Sequence, residues 1–94
     1  MSKEYVAYHI LVVGRVQHVG FRFWTECLAI KLNVKGYVKN LSDENTVEVE
    51  VEGYSDRVEE FIKAISKDHP YAKVTSIEKE KISVKNYKIF KIIR

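Results

Sequence analysis

Thr46-Val47-Glu48-Val49-Glu50-Val51-Glu52 alternates valine with glutamate, and this stretch organises the chain on either side of it. A period of two belongs to a β-strand, whose side chains point to opposite faces in turn. Valines on one face and glutamates on the other make a strand with one buried and one wet face. Toward the N-terminus, Leu41 to Asn45 is polar after its first residue and joins this strand to a preceding one, Val34 to Asn40, as a hairpin. Earlier still, Phe21, Trp24, Leu28 and Leu32 recur at three- and four-residue steps, the spacing of an amphipathic helix, with Asn33 suited to its C-terminal stop. Gly14 to Gly20 is bracketed by glycines and reads as a loop. Tyr5 to Val13 is β-branched, aromatic and almost continuously apolar, which suits a strand central in its sheet.

Toward the C-terminus, Gly53 is expected to break the strand. Ser55 or Asp56 is expected to cap a helix that carries Val58, Phe61, Ile62 and Ile65 on one face. His69-Pro70 ends that helix, because the residue before a proline avoids helical geometry. Two strands follow, roughly Ala72 to Ile82 and Asn86 to Ile93. The order is βαββαβ with an extra C-terminal strand. This is an α+β chain with two helices packed on one face of a mostly antiparallel sheet, the ferredoxin-like split βαβ layout. Single apolar stripes on the helices and one apolar face on the third strand leave the other sheet face to solvent.

At 94 residues the chain is read as one domain spanning residues 1–94. A hydrophobic fraction of 46% with 31% charged residues is that of a soluble globular chain. No apolar run approaches the ~20 residues needed to cross a bilayer. The run from Tyr5 to Val13 lacks a small-residue cleavage site after it, so it reads as a strand rather than a signal peptide. Cys27, the single cysteine, has no internal disulfide partner, which favours a reducing compartment, with the cytoplasm expected. The net charge of +3 suits an anionic ligand and falls short of a nucleic-acid footprint. His9, His18, His69 and Cys27 show no metal-ligand spacing, so no metal is expected.

A glycine-flanked loop that leads from a strand into a helix presents backbone N–H groups with no intrahelical partner. With the helix dipole these make an anion site, and Gly14 and Gly20 permit the backbone angles that turn successive amides inward. Arg22 falls in the first helical turn, where its side chain leans back over the loop. A planar guanidinium over a ring of amides matches the oxygens of a phosphate. The same spacing also fits a plain strand-to-helix turn with Arg22 solvated, and spacing alone leaves both readings open. Neither Walker A nor the dinucleotide Gly-x-Gly-x-x-Gly pattern is present, so the nucleotide readings lapse. Trp24 reads as core, His69 as a helix terminus, and the lysines from Lys79 to Lys91 as a solvated strand face.

Gly14-Arg15-Val16-Gln17-His18-Val19-Gly20-Phe21-Arg22 resembles the first signature of the acylphosphatase family, Gly-x-Val-Gln-Gly/His-Val-x-Phe-Arg. Gly36-Tyr37-Val38-Lys39-Asn40, followed by Val47 and Gly53, resembles the second. The resemblance covers nearly the whole chain and includes the ending Tyr87 to Arg94. It implies hydrolysis of acyl phosphates to a carboxylate and inorganic phosphate. Phosphate binding is assigned to Arg22 and to the backbone amides of Arg15, Val16, Gln17, His18, Val19 and Gly20, and orientation of the attacking water to Asn40. No cofactor, metal or covalent intermediate is implied, and a monomer acting on a small molecule, without membrane or nucleic-acid partners, is expected. The match departs from the family pattern at two places. His18 stands where most members carry glycine, although its amide survives. Glu44 stands four residues after Asn40, where the pattern has glycine, and Val47 stands seven after rather than six. The hairpin is therefore one residue longer, with Asn45 expected to take the left-handed conformation.

Two other functions fit the same fold. One is a catalytically silent phosphate- or carbamoyl-phosphate-binding domain of the same family. The other is an RNA-binding ferredoxin-like domain. Lys35-Gly36-Tyr37 begins like the RNP1 motif, but Val38, Lys39 and Asn40 break it where a small residue, an aromatic and a valine belong.

Overall fold

The computed structural model describes residues 4–94. Its elements are β1 (Tyr5–Arg15), α1 (Phe21–Leu32), β2 (Lys35–Asn40), β3 (Thr46–Tyr54), α2 (Ser55–Lys67), β4 (Lys73–Ile82) and β5 (Phe90–Ile93). They form one sheet in the order β4-β1-β3-β2-β5, antiparallel except for the parallel pair β2–β5. β1 and β2 therefore run the same way with β3 between them, the split βαβ layout with one strand added. The valines of β3 are the middle of the core. Val47, Val49 and Val51 are fully buried with Ile10 and Val12 of β1, Val38 of β2, Phe21 of α1 and Phe61 and Ile65 of α2. Both helices thus close the same sheet face, as the βαββαβ order implies. Among the described residues no helix is long and apolar enough to cross a membrane.

The face of α1 that meets the sheet differs from the expected stripe. Phe21, Thr25, Ala29 and Leu32 are buried, while Trp24 and Leu28 pack at the flank. Small side chains at Thr25 and Ala29 let the helix lie close to the sheet, and hydrophobicity alone hides that role. Asn33 does end the helix, with φ 59° and its N–H bonded to the carbonyls of Ala29 and Ile30. Gly53 does not break β3, which continues to Tyr54. A Cβ at Gly53 would lie 3.0 Å from Val34 Cγ1, so the glycine serves packing against the start of β2. Neither Ser55 nor Asp56 holds the N-cap position of α2, although the Asp56 carboxylate accepts the Arg57 amide of the first turn at 2.9 Å. Tyr54 holds the N-cap position without a side-chain bond, and the Ser55 amide donates to the Glu4 carbonyl at 2.7 Å.

The largest departure concerns the sheet face away from the helices. Residues 83–89 cross part of it instead of extending a strand from Asn86, and β5 begins only at Phe90. Beneath this crossing, Glu50 is 7% exposed and Glu52 0%. Glu52 accepts the backbone amides of Lys85 at 2.9 Å and Tyr87 at 3.0 Å. Glu50 Oε1 accepts the Lys85 ammonium at 2.8 Å and the Tyr87 hydroxyl at 2.7 Å. Glu48 accepts the Tyr37 hydroxyl at 3.1 Å and meets His9 Nε2 at 2.8 Å. The glutamate face is therefore a satisfied polar layer, wet toward its two flanks, where Glu78 and Glu80 on one side and Lys39 and Lys91 on the other are exposed. Alternation reports polarity, and a carboxylate that satisfies buried amides is as polar as one in water. Burial pushes the Glu50 carboxyl up, yet the bonds from Lys85 and Tyr87 outweigh it and hold the group below its usual value. Burial, then the bond to Glu50, pushes the Tyr87 phenol up to about 12. Burial first, then the Glu50 charge, raises Tyr37 as well.

Candidate functional site

β1 and β2 run in one direction and β5 is parallel to β2, so their C-terminal ends gather at one end of the sheet. The N-terminus of α1 opens at the same end. A cleft of about 250 Å³ lies there, lined by Val16, His18, Gly20, Phe21, Arg22, Phe23, Asn40, Ile92 and Arg94. Topology thus brings Arg22, Asn40 and the glycine-flanked loop to one place.

The loop's backbone explains its glycines. Gly14 has φ 141°, and a Cβ there would sit 2.0 Å from the Lys73 carbonyl oxygen, so no other residue lets β1 end this close to β4. Gly20 has φ 75° and is the N-cap of α1, in open space. His18 is left-handed too, with φ 65°. Not all six expected amides are free. The Val16 amide donates to the Gly14 carbonyl at 3.0 Å, and Arg15 is the last residue of β1, opposite Lys73. Among the described residues, the amides of Gln17, His18, Val19 and Gly20 meet no protein acceptor. The first bond of α1 runs from the Trp24 amide to the Gly20 carbonyl, which leaves the amides of its first turn open as well. This end of α1 therefore carries the positive pole of the helix with no acidic residue in the first turn to offset it.

Arg22 is half-buried on that first turn and makes no ion pair or side-chain hydrogen bond among the described residues. Asn40 is the last residue of β2, opposite Val47, and shares the helix side of the sheet with Val38. Its Oδ1 is buried without a hydrogen-bond partner among the described residues. A buried amide oxygen left so is costly unless something that enters the cleft satisfies it.

The turn after Asn40 is built differently from the expectation. Glu44, not Asn45, is left-handed, at φ 65°. Asp43 is the reason. Its carboxylate accepts the Thr46 hydroxyl at 2.7 Å and the Asn45 amide at 3.1 Å, which fixes Asn45 and leaves the reversal to Glu44. The Thr46 bond also holds the exposed Asp43 carboxyl below its usual range. Four contributors escaped the sequence. Phe23, Ile92 and Arg94 line the cleft, and the Gln17 side chain braces it. Only the pairing of β5 with β2 brings Ile92 and Arg94 here, and no local pattern reports that pairing. Trp24 packs against the core, and its ring centroid lies 5.2 Å from that of His69. His69 itself is 9% exposed, and its Nδ1 accepts the amides of Tyr71 and Ala72 at 3.0 and 3.1 Å, which makes it more than a helix terminus.

The family model described as Acylphosphatase matches residues 8–92. The acylphosphatase of Treponema denticola is 47% identical over 93 residues, covering 98% of each chain. The crystal structure of acylphosphatase from Bacillus subtilis matches with a TM-score of 0.90 at 36% identity, over 95% of this chain and 99% of that one. Full-length HypF, in its phosphate- and nucleotide-bound form, matches with a TM-score of 0.89 at 35% identity. That match spans 100% of this chain and 12% of HypF, so the same unit also stands inside a longer protein. With a match that runs from β1 to β5, and with both signature stretches meeting at one cleft, the chain belongs to the acylphosphatase family.

Proposed function

We propose that the cleft hydrolyses the carboxyl–phosphate bond of acyl phosphates, with Arg22 and the free loop amides holding the phosphoryl group and Asn40 orienting the attacking water. The observation that carries this reading is the convergence of an unpaired guanidinium, unpaired loop amides and the orphaned Asn40 Oδ1 on one cleft. The reaction asks little more of a protein. Water oxygen bonds to phosphorus, the P–O bond to the acyl group breaks, and its electron pair leaves on a carboxylate. That carboxylate's conjugate acid has a pKa of ~4, so it departs unprotonated and needs no general acid. The water's proton passes to a phosphoryl oxygen. What remains is neutralising phosphoryl charge and placing one water in line, which is electrostatics and positioning. Asn40 can accept one bond from that water through Oδ1 and donate through Nδ2.

The test is hydrolysis of benzoyl phosphate in the presence of a chelator by the wild type, Arg22→Ala and Asn40→Ala. Metal-independent turnover is expected. Arg22→Ala should lower kcat/KM about 100-fold or more, the effect of losing roughly 3 kcal/mol of transition-state stabilisation. Asn40→Ala should lower kcat while phosphate still binds. Phosphate binding without turnover in the wild type would instead assign a silent binding domain. Full activity in both variants would remove both residues from the mechanism. RNA binding is disfavoured, because the sheet face that would serve as a platform presents Glu48 and places Glu50 and Glu52 beneath the crossing at 83–89.

A further inference from the structure

Gln17 lies inside the loop, but its side chain points away from solvent and is 8% exposed. Its Nε2 donates two hydrogen bonds across the structure, to the carbonyl of Leu41 at 2.9 Å and to that of Thr46 at 2.9 Å. These two carbonyls flank the β2–β3 turn. The Leu41 amide also bonds the Thr46 carbonyl at 3.0 Å, and the Gly14 amide bonds the Asn45 carbonyl at 2.9 Å. The turn is therefore stitched to the loop at both of its ends. Leu41 directly follows Asn40, whose Oδ1 has no bond of its own to fix it. With no direct side-chain anchor among the described residues, the aim of Asn40 depends on the backbone that carries it.

The geometry points to Gln17 as a positioning residue that aims Asn40 by holding the Leu41 peptide and the turn against the phosphate loop. This rests on the role proposed above for Asn40. Both amide protons of Gln17 are spent on the turn, so its side chain has no donor left for phosphate. Its loss should act on water placement, where small displacements are costly, and leave the anion site largely intact. The brace also accounts for a hairpin lengthened by one residue that still presents Asn40 to the cleft.

Gln17→Met removes the donors at similar length. It is expected to lower kcat for benzoyl phosphate about tenfold while the inhibition constant of inorganic phosphate changes less than about twofold. In nitrogen-15 spectra the Asn40 side-chain amide and the Leu41 backbone amide should shift. An unchanged kcat overturns the proposal, as does phosphate binding weakened by the same factor as kcat. Should Gln17→Met fail to fold, Gln17→Asn gives the same readout: the amide, shorter by one methylene, cannot reach both carbonyls, and it adds no charge beside the anion site. If the wild type turns over no acyl phosphate, the functional reading fails, and the spectra still decide the brace. Unchanged Asn40 and Leu41 signals overturn it in either case.

Discussion

Glu44 and His18 hold φ 65°, a conformation that costs an L-residue with a side chain about 1 kcal/mol relative to glycine. At Glu44 the side chain is exposed and forms no hydrogen bond or ion pair among the described residues, so little is lost with it. Glu44→Gly should therefore stabilise the fold by about 1 kcal/mol, read as a higher denaturation midpoint in urea at unchanged slope. A lower midpoint would show that the freedom glycine adds to the unfolded chain outweighs the strain removed at Glu44. His18 has the same strain but lines the cleft, so replacing it would mix strain with anion binding. Arg22 and Asn40 were legible because each sits in a compact local motif. The Gln17 side chain and Arg94 were not, since their positions depend on contacts 24 residues away in one case and on strand pairing in the other. The turn was misread for a related reason: an Asp43 bond to Thr46 displaced the reversal by one position.

Residues 83–89 are an element without regular structure, held down by carboxylates instead of by a ladder. Order and type of the helices and strands were readable from periodicity and composition, and their bounds approximately so except for the last strand, which starts at Phe90 and not Asn86. This crossing was not, because glutamates at alternate positions of β3 look the same whether water or buried amides satisfy them. Its chemistry makes stability depend on pH in a defined way. The folded Glu50 carboxyl lies below its ordinary value, so its contribution is present above the usual glutamate pKa of about 4.3 and lost as pH falls through the folded value. Tyr87, raised to about 12, contributes fully below the ordinary tyrosine value of about 10 and loses that contribution as pH climbs toward 12. Urea denaturation across pH should show a plateau that falls at both ends, and Tyr87→Phe should flatten both falls. An acid limb indifferent to Tyr87→Phe would mean that the Tyr87–Glu50 bond does not hold the carboxyl down.

The whole molecule gathers three parallel strand ends and one helix start around a single cleft, and a ligand held there would link binding to folding. A ligand that binds only the folded chain at ten times its Kd stabilises it by about 1.4 kcal/mol. For a chain of this size that corresponds to a Tm rise on the order of 5–10 °C. Inorganic phosphate should produce this shift in the wild type, and Arg22→Ala should lose it. An unmoved wild-type Tm at high phosphate would place the anion elsewhere or nowhere. The parallel pairing of β5 with β2 has a consequence during synthesis. A ribosome delivers the glycine-flanked loop early and Ile92 and Arg94 after every other element of this fold, so a nascent chain with both helices and four strands already outside still lacks one wall of its cleft. The cleft is thus completed by the strand that comes last in the order of this fold, and its final wall arrives in one step, at the moment that strand finds β2.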